Sequence, residues 1–352
     1  MKRNSIVPIR WPCRRIHLLF AFLVTTVIYF YIIHLAPSLI PLKAGSFSAL
    51  PDGGSGRDSN NQDHDNGLSG AEPAIPPTKH DDDAVEMVVA SMKRENVTWL
   101  HEYLPQWKKN IYVVDDPEAE LTVPENKGRE AMVYLTYIID RYDSLPANIF
   151  FHHAERFQWH NDNPDYDALT LLQSFRLSYL KKEGYVNLRC DWSLGCPLAI
   201  RPSIDATQAA PGEGLTCKHI YKQAFEELFP GETIPETVGV GCCSQFAVRR
   251  ETIRLHPKAD YIRYREWLTD SKHDDGLSGR VLEYAWHLIF GKEAVHCPDA
   301  GMCYCEAYGL CDMDCNVARC VGQYTLPRYS TLPQGWPKVG WNGEDRHWSG
   351  PE

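Results

Sequence analysis

The chain has 352 residues and a formal net charge of −10. An acidic chain lacks the basic face that neutralises phosphates, which argues against a nucleic-acid binder. With 43% hydrophobic residues, it can build the core of one large domain or of two small ones.

Lys2, Arg3, Arg10, Arg14 and Arg15 precede an uncharged stretch that runs from Ile16 through Ile33 to Ala36. About 20 apolar residues suffice to cross a bilayer as a helix, and the basic flank stays cytosolic. Residues 1–15 are therefore expected to be a cytosolic basic tail and residues 16–38 a transmembrane signal-anchor. The apolar run is longer than the core of a cleaved signal peptide, and no small-residue cleavage site follows it. Residues 39–83, rich in Gly, Ser, Asp, Asn and Pro, read as a disordered stem. Residues 84–322 are expected to form a lumenal domain and 323–352 an irregular tail. This is the layout of a single-pass type II protein of the Golgi or ER membrane, shared by enzymes and by non-catalytic receptors.

The cysteines agree with an oxidising compartment. Cys13 precedes the apolar run, and the other eleven of the 12 cysteines lie beyond residue 189. Cys297, Cys303, Cys305, Cys311, Cys315 and Cys320 crowd together without the paired knuckles of a zinc site. They read as a disulfide framework bracing the C-terminal part. An odd number leaves one thiol over, or pairs it between chains.

Within the domain, residues 85–91 read as a buried strand, and Trp99, Leu100, Tyr103, Leu104 and Trp107 recur at helical spacing. A second strand at 110–114 halts at Asp115-Asp116-Pro117. Ala131, Tyr134, Leu135, Ile138, Ile139 and Tyr142 then mark the clearest amphipathic helix. A third strand covers 148–152. Asn163-Pro164-Asp165 signals a helix start, running through Leu172, Phe175 and Tyr179 to Gly184. Helices are expected at 218–229 and 277–290, and a strand at 239–248. Alternating strands and helices predict an α/β fold, with a mostly parallel sheet flanked by helices on both faces.

In such a sheet, ligands bind beyond the carboxyl ends of the strands. That rule selects Ser91 to Arg94, Asp115-Asp116 and the segment 152–162. Asp115 and Asp116 can accept from ribose hydroxyls or hold a divalent ion, or can simply form a turn. The segment 152–162 holds three histidines, Glu155, Arg156, Trp159 and Asp162. Carboxylates with imidazoles bind Mn²⁺ or Zn²⁺, a carboxylate can take the proton of a sugar hydroxyl, and Trp159 can stack on a sugar or base. The competing reading is a polar loop with packed aromatics. Asn126-Lys127-Gly128-Arg129-Glu130, at the start of the best helix, suits a diphosphate. His287 reads more readily as a satisfied core residue than as a ligand. Asn96-Val97-Thr98 is an N-glycosylation sequon that makes Asn96 a candidate modification site.

Val88-Val89-Ala90-Ser91, Asn126 through Asp140, Phe150-Phe151-His152-His153 and Gln158 through Asp162 resemble a fungal family of uncharacterised type II membrane proteins. So do Gly184 through Cys190 and Arg280 through Gly291, and the resemblance spans about residues 85–312. That family is in turn distantly similar to GT-A glycosyltransferases, which have a Rossmann-like sheet, use nucleotide-sugar donors and often require Mn²⁺. The resemblance implies transfer of a sugar from a nucleotide-sugar to a glycan or glycoprotein acceptor. Asp115, Asp116 and Arg129 would lie near the nucleotide, and Trp159 and His160 at the substrate. Glu155 and Asp162 would be catalytic, with His153 and Asp162 on a metal. The chain departs from the pattern where the third strand runs into His152-His153-Ala154, not into Asp-x-Asp. Asp165-Tyr166-Asp167 and Asp312-Met313-Asp314 have the spacing elsewhere. A lumenal metal-dependent hydrolase and a non-catalytic lectin-like protein are the alternatives.

Overall fold

The computed structural model describes residues 82–192, 195–207 and 214–320. The expected basic tail, membrane span, stem as far as residue 81 and tail from 323 lie outside them. Among the described residues no helix is long and apolar enough to cross a membrane.

In chain order, β1 (Val85–Ser91), α1 (Thr98–Tyr103), β2 (Lys108–Val113), α2 (Glu130–Arg141) and β3 (Asn148–His153) alternate strand with helix. They are followed by α3 (Ala168–Ser174), α4 (Leu177–Glu183), β4 (Tyr185–Asn187), α5 (Pro202–Asp205) and α6 (Cys217–Leu228). Next come β5 (Gly239–Val240), β6 (Phe246–Arg249), α7 (Arg250–Ile253), α8 (Lys258–Asp270) and α9 (Asp275–Glu283). The remainder comprises α10 (Trp286–Ile289), β7 (Val295–His296) and α11 (Ala300–Cys303), which runs into a π-helical turn at Tyr304–Tyr308.

The central sheet has the order β2-β1-β3-β6-β4. β1 pairs in parallel with both β2 and β3, while β6 runs antiparallel to β3 and β4. Four of the five strands thus point one way, giving the mixed α/β fold with a mostly parallel sheet. Strand side chains alternate between faces. Met87, Val89 and Phe150 therefore pack with Trp99, Leu100, Leu172 and Leu180 from α1, α3 and α4. Val88, Phe151 and Phe246 pack on the other face with α2, α6, α8, α9 and α10. Full burial of each such side chain contributes about 1.5–3 kcal/mol.

Helix α2 is buried along its whole middle, from Ala131 to Ile139. The sequence predicts one apolar face against a sheet, but α8 also covers this helix through Tyr261, Tyr264 and Leu268. Helix α8 and strand β4 were not expected. The predicted helix from Asn163 to Gly184 is two helices. Asn163 Oδ1 instead accepts from the backbone of Asp165 and Asp167, closing a local turn. Asp167 then caps α3 by accepting from Leu169 N. The predicted strand 239–248 splits into β5 and β6 around a disulfide between the adjacent Cys242 and Cys243. The expected helix 277–290 breaks between Glu283 and Trp286.

Among the described residues five disulfides form, and the leftover thiol is the buried Cys217. Cys190–Cys303 and Cys196–Cys297 tie the C-terminal part to the segment after β4. Tyr304 and Tyr308 pack there with Leu171, Ala300 and Ala307.

Candidate functional site

The chain leaving β1 turns to α1 on one face of the sheet, and the chain leaving β2 turns to α2 on the other. Crossovers that part this way leave an opening at the carboxyl ends of the strands. A cleft of about 630 Å³ lies there, within the usual range for small-molecule sites. Its walls are Ala90 to Met92, Arg94 and Glu95 after β1, Val114 after β2, and His153 to Glu155 with Gln158 to His160 after β3. Arg129 and Glu130 at the start of α2 and Asp275, Gly279, Arg280 and Glu283 of α9 complete it, with Cys243.

Arg129 owes its position to backbone geometry. Gly128 and Arg129 have φ of 65° and 55°, the left-handed region that glycine tolerates and arginine rarely adopts. Gly128 N donates to Asp275 Oδ1 at 3.0 Å, pinning the turn to α9. Gly279 lets α9 approach: a Cβ there would stand 2.9 Å from the Gly128 carbonyl oxygen. Cys243 and Ser244 are also left-handed, at φ 95° and 49°. Cys243 N donates to Glu283 Oε1 at 2.6 Å, and Arg280 Nε contacts the other Glu283 oxygen at 2.9 Å.

Three carboxyls and two imidazoles of the cleft are shifted towards neutrality. Burial raises the carboxyls of Glu95, Glu130 and Glu283 above the ordinary carboxylate range. For Glu130 it prevails over the nearby Arg129 and Arg280 cations. Burial and then the Arg129 charge push His153 down to about 4. Burial, followed by His153 and Arg189, holds His160 well below its usual value. At neutral pH both imidazoles are uncharged, so the 3.9 Å approach of His153 Nε2 to Glu130 Oε2 is not an ion pair. His160 lies edge-on to His153 and is stacked on Trp159, with ring centroids 4.5 and 4.0 Å apart.

Of the residues singled out from sequence, the cleft gathers Arg129, His153, Glu155, Trp159 and His160. Asp115 and Asp116 do not line it. Asp115 Oδ1 accepts from Lys93 N at 2.7 Å and Asp116 pairs with Lys93 Nζ at 2.9 Å, so the two aspartates brace the exit of β1. Asp162 is 1% exposed and faces away from the cleft. Its Oδ2 accepts from Cys190 N, Asp191 N and Tyr304 Oη at 2.7, 3.0 and 2.6 Å. It is a buried tether for the disulfide-braced part and does not line the cleft that holds His153. Among the described residues no three His, Cys, Asp or Glu side chains converge as a metal site. No step is derived through the expected Mn²⁺. His152 is buried, with Nδ1 2.8 Å from His153 O. His287 is likewise in the core, its Nε2 3.1 Å from Ala294 O. Asn96 is exposed, its side-chain oxygen accepting from Thr98 Oγ1 at 2.7 Å.

Glu95, Glu130 and Glu283 were missed. Glu130 stands beside Arg129 at a helix start, and Glu283 lies within the helix expected at 277–290. The folding of α9 against the Gly128 turn, which brings these together, has no local sequence signal.

Residues 87–306 match the family described as "Protein of unknown function (DUF3431)", and the chain belongs to that family. No curated protein matches the chain. No solved structure matches it either.

Proposed function

We propose that the chain is a glycosyltransferase whose cleft at the ends of β1, β2 and β3 holds a nucleotide-sugar. The observation that carries this reading is the cleft's composition. Arg94, Arg129 and Arg280 stand with Trp159 and several carboxyls in one opening at the carboxyl rim of a mostly parallel sheet. Arginines suit a diphosphate through planar, charge-assisted hydrogen bonds. Trp159 offers a flat apolar surface to a sugar or base. Carboxyls shifted towards the neutral form repel the phosphates less than carboxylates would, and can exchange hydrogen bonds with hydroxyls. The sheet order, with one antiparallel strand next to β3, is compatible with a GT-A-type layout. The expected type II anchor would place this domain in the Golgi or ER lumen, where glycan and glycoprotein acceptors are available. The hydrolase alternative finds no converging metal ligands among the described residues.

The test is thermal-shift titration of the full-length chain with uridine- and guanosine-diphosphate sugars, with and without added Mn²⁺. At least one donor is expected to stabilise the protein. Arg129→Ala should weaken that donor's binding at least tenfold, about 1.4 kcal/mol or more for a lost charge-assisted contact. Stabilisation by none of the donors, or an Arg129→Ala titration that overlays the parent, would sink the reading.

A further inference from the structure

A second opening of about 550 Å³ adjoins the first, and Glu155 lines both. Its other walls differ in chemistry from those of the first cleft. Arg156 lies between two rings, with its guanidinium carbon 5.0 Å from the Tyr103 centroid and 4.7 Å from that of Phe157. Asp167 grips this guanidinium bidentately, at 2.8 Å to Nε and 2.8 Å to Nη2. The backbone is fixed as well. Ala168 N and Asn161 Nδ2 both donate to Arg156 O, and Asn161 is held in turn by Gln245. The result is a rigid, flat-sided wall with Tyr103 41% exposed at its edge.

The remaining charges of this cleft are acidic. Glu102, Glu155 and Asp165 line it, while Asp167 offsets its one cation, Arg156. An anionic ligand is therefore disfavoured. Aromatic faces with carboxylates around them suit a neutral polyhydroxylated ligand: apolar sugar faces lie on rings, and hydroxyls donate to carboxylates.

We propose that this second cleft binds a neutral saccharide, and that it is the acceptor subsite of the transferase, a role that rests on the donor reading above. Glu155, on the shared wall, is the base. The acceptor hydroxyl oxygen attacks the anomeric carbon of the donor sugar. The bond from that carbon to the nucleoside diphosphate breaks, the diphosphate leaves with the electron pair, and the hydroxyl proton passes to the Glu155 carboxylate. Among the described residues no hydrogen bond or ion pair is seen to occupy that carboxylate.

The test is a glycan array printed with neutral and with sialylated or phosphorylated oligosaccharides. It is probed with the full-length chain and with Tyr103→Ala and Phe157→Ala, each checked by its melting curve. Binding should be confined to neutral glycans and fall at least tenfold in Tyr103→Ala, with nucleotide-sugar affinity within twofold of the parent. Glu155→Gln, which keeps a hydrogen-bonding side chain on the shared wall, should weaken either affinity less than tenfold and lose transfer to the captured glycan at least a hundredfold. No binding, binding of acidic glycans alone, or array signal that survives both ring substitutions overturns the saccharide site. Full transfer by Glu155→Gln overturns its role as base. If neutral glycans bind through Tyr103 but no nucleotide-sugar binds, the saccharide site stands while the acceptor role falls with the transferase reading.

Discussion

Asp162→Ala is expected to destabilise the domain by about 3–5 kcal/mol, measured by urea denaturation at neutral pH. The substitution orphans three donors at once, Cys190 N, Asp191 N and Tyr304 Oη, in a place where water does not reach. Each unsatisfied buried group costs about 1–3 kcal/mol. The tempering effect is the burial of Asp162 itself, which raises its carboxyl above the usual range against the Arg189 charge and the Tyr304 hydrogen bond. All three donors converge on one oxygen, so Asp162→Asn keeps an acceptor in the same place and should lose less than half as much. A metal ligand or general base would behave the other way. Asparagine would then be as inactive as alanine, and neither would change the denaturation midpoint. That pattern would restore Asp162 to the chemistry and refute its reading as a tether.

This residue also shows where the sequence stops being informative. A run such as Gln158-Trp159-His160-Asn161-Asp162 after a strand announces polar side chains near a ligand-binding edge. Which way each one points depends in part on partners more than 80 residues away. His160 and Trp159 face the cleft. Asn161, the fourth of the five, is held inward by Gln245 among others, and Asp162 by Tyr304 with Cys190 and Asp191. The strands and helices of the first half were legible because each has its own period. Met87 and Val89 against Val88 alternate with period two, and Ala131 to Ile139 repeat with the helical period. Helix α8 had a readable apolar spacing too, at Tyr261, Tyr264 and Leu268, masked by the charged residues between them. The split of the predicted strand at 239–248 was not readable, because it follows from a bond between neighbouring cysteines and from two left-handed residues. The site followed the same division. Most residues contributed by the strand ends were anticipated, Glu95 excepted, and the carboxyls delivered by α9 were not.

The two long-range disulfides are expected to act as a coupled pair, not as independent clamps. Cys190–Cys303 and Cys196–Cys297 span 113 and 101 residues, and the second is nested inside the first. The two bridges stand six positions apart on each arm. Replacing Cys190 and Cys303 with serine therefore leaves the long loop closed by the inner bridge. It frees only a ring of roughly a dozen residues, worth about 3 kcal/mol of loop-closure entropy. Replacing Cys196 and Cys297 leaves the outer bridge in place and should cost about the same. Removing all four thiols also opens the ~100-residue loop, adding about 4.7 kcal/mol. The quadruple variant should then be about 7–8 kcal/mol less stable than the parent, more than the two double variants together. A loss of that size approaches the total stability of a typical domain, so the variant should be largely unfolded at 37 °C while each double variant remains folded. The local bridges Cys305–Cys311 and Cys315–Cys320 close loops of 6 and 5 residues, and each should matter by only about 2 kcal/mol. Urea melts under non-reducing conditions measure all of these. Strictly additive losses for the two long bridges would mean that the unfolded chain does not behave as nested loops. Losses confined to the local bridges would mean that packing and hydrogen bonds, those of Asp162, Tyr304 and Tyr308 among them, suffice to hold the segment after β4 to the C-terminal part.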